Sequence, residues 1–432
     1  MFIRNHEYVY IAQHLSVNVT FLATHANIEV ITRYNATSQP VSGPAKYIEI
    51  DANMTMRENG KTSKGLILTS DTLMSVTAFN SLAGGTADGY LALPMESLGV
   101  FYIVGTFRPN TKSYSIYGTS FAVGAPYDNT LINITLSTSG VTVPGQYHKV
   151  GDKITVILDK LDTFYIETTT SYQDLTGTRI VSDKPVAVVS GNVCSNREGC
   201  NHLIEYLPPV SKWGSRFIVP PFMRSTSGII RIVSSVNNTS VVVASKTSIK
   251  TYTISTFINI DTDPTQPYRI SSERPVLVLL FLNVIKVGMS IIPSINQFSN
   301  EPVLVSPPQV SYFQNTPFEN FIVVSIRTSD QSGLQLLSTK GTDLTRIGSV
   351  TFPGIDGEMF SFISVNCNNK QTCSVQHSDN NVVFSVITYG FTRAETLLTH
   401  ECRGKQVEEI APAVNSKRNR IINFRLSTVT SG

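Results

Sequence analysis

The stretch at residues 179–192, RIVSDKPVAVVSGN, holds the pattern on which the fold depends. A strand-like run comes first, a Ser-Asp turn follows, and a Pro then leads into an apolar run rich in Val. Ser and Asp side chains cap the amides of turns, and Pro185 fixes φ where the chain enters the second run. The stretch therefore predicts two consecutive β-strands joined by a turn.

The same cadence occurs three more times along the chain. ILTSDTLMSVTAFN, RISSERPVLVLLFLN and VQHSDNNVVFSVITYG begin at residues 67, 269 and 375. The acidic residues of the four turns are Asp71, Asp183, Glu273 and Asp379. After the first three turns, an apolar-Pro step precedes a large apolar residue, which is Leu98, Trp213 or Phe298. Such self-similarity predicts internal repeats, with Trp213 in the core at a junction between two of them.

Most of the remaining chain consists of short runs rich in Val, Ile, Thr, Tyr and Phe, separated by turn residues, which is typical of strands. About seven strands fall in each repeat, a number that suits an antiparallel two-sheet sandwich. We predict an all-β chain of four β-sandwich-like units in tandem. The predicted units are residues 1–97, 98–212, 213–297 and 298–402, with a polar and basic tail at 403–432. A propeller-like closed arrangement is the alternative, although a blade has about four strands, fewer than one repeat.

Composition excludes some classes of function. The 432 residues are 41% hydrophobic and 15% charged, which supplies enough apolar material for buried cores. The net charge is only +3, and the one basic cluster is NSKRNR at residues 415–420, so a nucleic-acid partner is not expected. No apolar run reaches the ~18 residues of a membrane-spanning helix. No signal peptide is recognisable after Met1, so we expect an intracellular chain or the mature part of a secreted one.

Four of the five cysteines form two pairs of equal spacing. Cys194 and Cys200 enclose five residues, and Cys367 and Cys373 enclose five others. This spacing predicts two small disulfide-closed loops, which hold the shape of a loop more than they stabilise the fold. Cys402 is then unpaired, or it pairs with a neighbouring domain or another chain.

A metal site is the alternative at the first cysteine pair. Cys194, Cys200, His202 and Glu205 could supply sulfur, nitrogen and oxygen ligands to zinc. The spacing matches no common zinc pattern, and the second cysteine pair has no His-x-x-Glu beside it. We therefore predict no metal and no cofactor, and expect His202 to hydrogen-bond within its loop and Glu205 to cap local backbone.

Asparagine sequons point to a secretory route. The N-x-S/T motif occurs at Asn18, Asn35, Asn53, Asn133, Asn237 and Asn238. Glycans at such motifs are surface features of secreted proteins, and paired cysteines persist in oxidising compartments. Together they predict a secreted, extracellular glycoprotein.

The segment at residues 177–221, GTRIVSDKPVAVVSGNVCSNREGCNHLIEYLPPVSKWGSRFIVPP, resembles the hallmark segment of the IgG Fc-binding-protein N-terminal domain family. The matching positions include Ser182, Pro185, Val188, Ser190, Gly191, Cys194, Cys200, His202, Glu205, Leu207, Pro208, Pro209, Trp213 and Gly214. Weaker similarity runs from EYVYIA, near the N-terminus, to LLTHEC, which ends at Cys402.

The resemblance implies an extracellular binding or adhesion domain at the front of a large secreted, mucus- or surface-associated protein, followed by cysteine-rich modules. It implies protein or glycoprotein partners, which include the Fc part of immunoglobulin G for some members. The low net charge and the lack of a long apolar run predict neither nucleic-acid binding nor membrane insertion. The family motif contains no ligand-contacting residue that could be assigned to this chain.

An enzyme and a lectin are the rival functions. A secreted glycan hydrolase needs two carboxylates held in a cleft, whereas the acids of the four repeats lie in turns. The serine nucleophile motif GxSxG is absent. A lectin needs exposed aromatic residues beside polar loops, for which Tyr114, Tyr117 and Tyr127 are candidates. We predict no catalytic residue.

Overall fold

The fold is described by a computed structural model that covers residues 13–21, 25–43, 45–56, 58–72, 74–82, 86–107, 118–170, 172–196, 200–283, 287–306, 319–338, 341–354, 357–367, 372–391 and 396–401. Strands and short 3-10 turns make up its regular structure, and all strand pairs are antiparallel. The prediction of an all-β chain is confirmed. Within these ranges, no helix has the length and apolar character needed to cross a membrane.

Within the described residues, thirty-two strands follow one another through the predicted units 1 to 4. Unit 1 holds β1 (Gln13–Phe21), β2 (His25–Thr32), β3 (Ala36–Ser42), β4 (Ala45–Ile50), β5 (Gly60–Thr62), β6 (Leu66–Ser70), β7 (Met74–Leu82) and β8 (Thr86–Leu91). Unit 2 holds β9 (Gly99–Ile103), β10 (Thr119–Gly124), β11 (Thr130–Thr135), β12 (Val141–Val143), β13 (Gln146–His148), β14 (Lys153–Leu158), β15 (Thr163–Glu167), β16 (Arg179–Asn196) and β17 (Cys200–Tyr206). Unit 3 holds β18 (Gly214–Val219), β19 (Ser227–Ser234), β20 (Thr239–Ala244), β21 (Ile249–Ile254), β22 (Phe257–Thr262), β23 (Tyr268–Asn283) and β24 (Val287–Ile291). Unit 4 holds β25 (Val303–Val305), β26 (Glu319–Arg327), β27 (Leu334–Ser338), β28 (Arg346–Pro353), β29 (Met359–Asn366), β30 (Cys373–His377), β31 (Phe384–Phe391) and β32 (Thr396–Glu401). The 3-10 turns are Ala52–Met54, Met95–Ser97, Val210–Lys212, Ile295–Gln297 and Thr328–Gly333.

The stretch at residues 179–192 lies in one long strand, β16, which takes part in two sheets. Its first half pairs with β11 and β9, and its second half pairs with β10 and β17. The pairing with β9 shifts register between Val181 and Val186, which is where the Ser-Asp-Lys-Pro turn was expected. The predicted turn is thus a bend within a continuous strand, since a register shift re-aims the chain without ending it.

The long strand β23 is built in the same way. Its first half pairs with β20 and β18, its second half with β19 and β24, and its register against β18 shifts between Ser271 and Val276. In units 1 and 4 the chain does separate into two strands, β6 and β7 or β30 and β31. The turn prediction therefore holds in two units, while the other two keep one bent strand.

Strand order recurs from unit to unit. Unit 2 has the orders β14-β11-β16-β9 and β15-β10-β16-β17, and unit 3 has β21-β20-β23-β18 and β22-β19-β23-β24. Unit 1 has β3-β2-β6 and β4-β1-β7-β8, and unit 4 has β27-β30-β25 and β29-β26-β31-β32. The four-unit division and its boundaries stay predictions, which this recurrence supports.

Two strands modify the pattern. β5, from unit 1, pairs with β15 and so extends a sheet of unit 2, while β28 extends the sheet of unit 4 that contains β29. Both additions cover the outer edge of a sheet, where unpaired backbone groups would otherwise be exposed.

The last strands of the units lie side by side in a closed circuit. β17 lies next to β8 and β24, and β32 lies next to β24 and β8. Units 1 and 4 are therefore in contact. The arrangement is closed, as in the propeller-like alternative, but the parts that close it are two-sheet units instead of single blades.

One sheet of each of units 2, 3 and 4 is buried on both faces. In β23, Val278 and Leu280 point into the core of unit 3, whereas Leu277 and Leu279 join the core of unit 2. In β16, Val188 faces its own core and Val189 packs with unit 1. A sheet covered on both faces needs apolar residues at successive positions, which explains the uninterrupted run PVLVLLFLN.

Candidate functional site

We call the place where β8, β17 and β24 meet the central junction. Polar side chains lie in it with no solvent exposure, and among them are Asn80, Asp88, His202 and Glu205. His202 and Glu205 belong to the motif at residues 177–221, so the junction is the structural location of the most distinctive part of the sequence.

Glu205 and Asp88 use their carboxylates to accept backbone N–H groups from the adjacent unit. Glu205 Oε2 accepts the N–H of Ile291 in β24 at 3.1 Å, and its Oε1 accepts the N–H of Tyr206 at 3.0 Å. Asp88 Oδ2 accepts the N–H of Ile204 in β17 at 3.1 Å. The edge strands β8, β17 and β24 are not paired as ladders with each other within the described residues, and a buried N–H needs an acceptor. The two acids therefore join neighbouring units.

His202 faces the opposite side of β17. Its Nε2 lies 3.2 Å from Nδ2 of Asn80 in unit 1, which makes the ring nitrogen the acceptor of the amide N–H. Residues three apart on a strand point to opposite faces, so His202 and Glu205 are directed to units 1 and 3 respectively. That geometry speaks against a shared metal ion, and among the described side chains no three His, Cys, Asp or Glu residues are grouped to hold one.

Two glycines of the motif permit close backbone approach. A Cβ on Gly191 would lie 1.8 Å from the carbonyl oxygen of Leu203, so only glycine fits where β16 pairs with β17. A Cβ on Gly214 would lie 2.3 Å from the side chain of Ser294, where unit 3 begins. Both positions serve packing between chain segments.

Trp213 occupies the same local structure as Leu98 and Phe298. Each ends a 3-10 turn and donates its backbone N–H, at 3.2 Å, to the carbonyl of the turn's first residue. Trp213 is 5% exposed, belongs to the core of unit 2, and donates its indole N–H to the carbonyl of Pro208 at 3.2 Å. Pro209, with φ of −61°, precedes the turn, and Pro185 lies half-buried at the bend of β16.

A buried ion pair joins units 2 and 3. Arg231 in β19 contacts the Asp174 carboxylate at 2.7 Å, donates to Thr176 Oγ1 at 2.7 Å, and lies 4.4 Å from the ring centre of Phe257. Burial disfavours the charged form of Asp174, but the Arg231 guanidinium and hydrogen bonds from Thr176 and Thr106 hold the pKa of this carboxyl below its usual value. The sequence patterns did not predict this pair, although an arginine inside the apolar run GIIRIV was a usable signal.

Two of the repeated turn acids, Asp71 and Asp183, accept hydrogen bonds from neighbouring strands. Asp71 accepts the N–H of Asn27 in β2 at 2.9 Å, and Asp183 accepts the N–H of Leu131 in β11 at 2.8 Å. The hydrogen bond from the backbone of Asn27 lowers the pKa of Asp71. Because β2 and β11 hold equivalent places in the strand order, the two acids have one structural role.

The structure contains the disulfide between Cys367 and Cys373, and both residues are buried in the core of unit 4. The side chains of Cys194 and Cys200, and all of Cys402, lie outside the described residues, so the first loop stays a prediction. Tyr114 and Tyr117 are also outside them, while Tyr127 is 42% exposed. Five sequon asparagines have exposed side chains, namely Asn35, Asn53, Asn133, Asn237 and Asn238. The side chain of Asn18 lies outside the described part of the chain.

Comparison with known proteins agrees with the motif. The family described as IgGFc binding protein matches the chain over residues 88–390. A human protein named IgGFc-binding protein is 25% identical to the chain over 415 residues. That alignment covers 91% of this chain but 7% of the human protein, so the chain spans a small part of the curated relative that it matches.

Proposed function

Because the chain belongs to the IgGFc-binding protein family, we propose that it is an extracellular, non-catalytic binding and adhesion domain of a larger secreted or surface protein. Its partners are proteins or glycoproteins, and the Fc part of immunoglobulin G, after which the human relative is named, is the first to test. The observation that carries the proposal is that His202 and Glu205 of the motif are fully buried and contact neighbouring units.

Glu205 of the motif and Asp88 of unit 1 both join units in this way. A glycan hydrolase holds two carboxylates where the substrate can reach them, one to donate a proton and one to act on the sugar. In this chain both carboxylates are fully buried and accept backbone N–H groups from neighbouring strands. Their contacts support a role for these two acids in assembly of the domain. We therefore assign partner binding to the exposed surface.

Two matching turns are the proposed points of contact. Tyr127 lies in the turn between β10 and β11, and Val236 lies in the turn between β19 and β20. In each turn a threonine three residues later hydrogen-bonds back to the carbonyl of that residue, at 2.8 Å to Tyr127 and 2.7 Å to Val236. Ordered turns that present exposed apolar side chains suit protein recognition, because little freedom is lost on binding.

Surface plasmon resonance on the purified, secreted chain tests the proposal. Immobilised Fc, the matching Fab and purified mucus glycoproteins serve as the panel, and we expect saturable binding to at least one member. Tyr127→Ser with Val236→Ser should weaken that binding at unchanged thermal stability, with the outward Lys250→Ser as the matched control. Release of sugar from a glycan substrate, without saturable binding to any panel member, would refute a non-catalytic binding domain.

A further inference from the structure

The sheet β14-β11-β16-β9 of unit 2 exposes aliphatic side chains on its outer face. Leu131, Ile157 and Val181 are 38%, 52% and 47% exposed. Leu131 stands directly opposite Ile157, and Val181 stands directly opposite Asn133. We call these residues, together with Thr155 opposite Asn133 on the other side, the outer face of unit 2.

Unit 3 carries polar residues at the matching positions. Its ladder between β20 and β21 begins with Thr239 opposite Ile254, as the ladder between β11 and β14 begins with Thr130 opposite Leu158. One step further, unit 3 places Ser240 opposite Thr253, where unit 2 places Leu131 opposite Ile157. The aliphatic pair is therefore a feature of unit 2 and is not required by the strand pairing.

Asn133 lies within this outer face and begins the sequon Asn-Ile-Thr. Its side chain is exposed, and its Oδ1 accepts the hydroxyl of Thr155 at 2.8 Å. Within the described part of the chain, no hydrogen bond involves its Nδ2, the atom to which a glycan is attached. The matching residue of unit 3 is Val242, which no sequon contains.

We propose that Asn133 carries an N-linked glycan and that its first N-acetylglucosamine residues cover Leu131, Ile157 and Val181. The oligosaccharide comes from a polyisoprenyl-diphosphate donor: the C1–O bond to the diphosphate breaks, the C1–Nδ2 bond forms, the diphosphate leaves and the amide proton passes to a base. No electron transfer is involved. The inference rests on the secretory route in the proposed function, and it goes further by assigning one sequon a structural role.

The role follows from the chemistry of both surfaces. The ring C–H groups of a sugar can pack against aliphatic side chains, while its hydroxyls face water. An exposed aliphatic patch on a sheet favours association with other chains, and a bulky, solubilising glycan opposes it. Val181, Leu131 and Thr155 all neighbour Asn133, so the first sugars are held over the patch by their attachment point.

The experiment uses the chain expressed with a secretion signal in mammalian cells. Peptide mass spectrometry after enzymatic deglycosylation in heavy-oxygen water reports the occupancy of each sequon, and we expect Asn133 to be occupied. The purified glycoprotein is then compared with its enzymatically deglycosylated form and with Asn133→Gln, using binding of an apolar dye and light scattering. Both unglycosylated forms should bind at least about two-fold as much dye as the glycoprotein and should self-associate.

Matched variants separate covering from attachment. Leu131→Ser and Ile157→Thr introduce the residue types that unit 3 has at the matching positions. Added to Asn133→Gln, they should restore low dye binding. Asn53→Gln alone should not raise dye binding. An empty Asn133 beside other occupied sequons would refute this inference and leave the secretory proposal standing. If every sequon is empty, both fail. An occupied Asn133 whose removal leaves dye binding and scattering unchanged would refute the covering role, and the enzymatic route gives that answer even if Asn133→Gln fails to fold.

Discussion

The two sheets of unit 3 share one strand, β23, yet they have different surroundings. The second half of β23 lies between two cores, with Leu280 in that of unit 3 and Leu279 in that of unit 2. Its first half has Ile270 buried, while Ser271 and Ser272 are half-exposed. The sequence of β23 alternates between apolar and polar residues before the bend and is continuously apolar after it. The change occurs because a neighbouring unit packs on the second half, while both halves remain β-strand.

The buried ion pair gives the largest test of this stacking. Arg231→Ala removes the partner of Asp174 at the boundary between units 2 and 3 and leaves a buried carboxylate. We expect a loss of about 3–5 kcal/mol in the free energy of unfolding, measured by denaturant titration. Arg274→Ala, at an exposed position, is the control and should change it by less than about 0.5 kcal/mol.

The same pair predicts a pH dependence with a defined sign. The pKa of Asp174 is lower in the folded chain than in the unfolded one, so its contribution is present above the unfolded value and is lost as pH falls through the folded pKa. Stability of the wild-type chain should therefore decline on acidification below about pH 4, and Arg231→Ala should lose this part of the decline. Equal acid profiles for the two proteins would contradict the pairing.

Leu279→Ala tests the face that points away from its own unit. Leu279 is fully buried in the core of unit 2, so its truncation should cost about 2–5 kcal/mol in the free energy of unfolding. Val181→Ala, at a position that is 47% exposed in the polypeptide, should cost less than about 0.5 kcal/mol. If the two substitutions cost the same in chemical denaturation, the second sheet of unit 3 is not covered on both faces.

Glu205→Gln examines the central junction at a smaller scale. The amide replaces one acceptor oxygen with an NH₂ group, which faces a backbone N–H of Tyr206 or Ile291 and leaves it unpaired. We expect the free energy of unfolding to fall by about 1–3 kcal/mol, which thermal unfolding would measure. The exposed Glu273→Gln is the matched control. A stable Glu205→Gln protein that had lost a hydrolytic activity would instead identify Glu205 as catalytic.

The sequence was informative wherever the determinants are local. The Ser-Asp cadence located the bends of β16 and β23, and the apolar-Pro step identified Leu98, Trp213 and Phe298 as one series. Local patterns could not show that Glu205 reaches Ile291 or that Arg231 reaches Asp174, because these contacts depend on how separate units pack. The bend was misread as a turn in units 2 and 3, because a Ser-acid pair occurs both at the bends and at the true turns of units 1 and 4. Only the two bent strands have a proline, Pro185 or Pro275, two residues after the acid, and the pairing of both strand halves keeps each strand continuous.

The smallest expected effect concerns the outer faces of units 2 and 3. Ser240→Leu with Thr253→Ile places the aliphatic pair of unit 2 on the sheet of unit 3, where no asparagine of a sequon stands at residue 242. Because the outer face is solvated, the free energy of unfolding should change by less than about 0.5 kcal/mol. Light scattering should nevertheless show more self-association, since the new patch is uncovered. A large change in stability would mean that this face of unit 3 packs against another part of the protein. Both sheets of unit 3 would then be buried on both faces, and the contrast between them would be wrong.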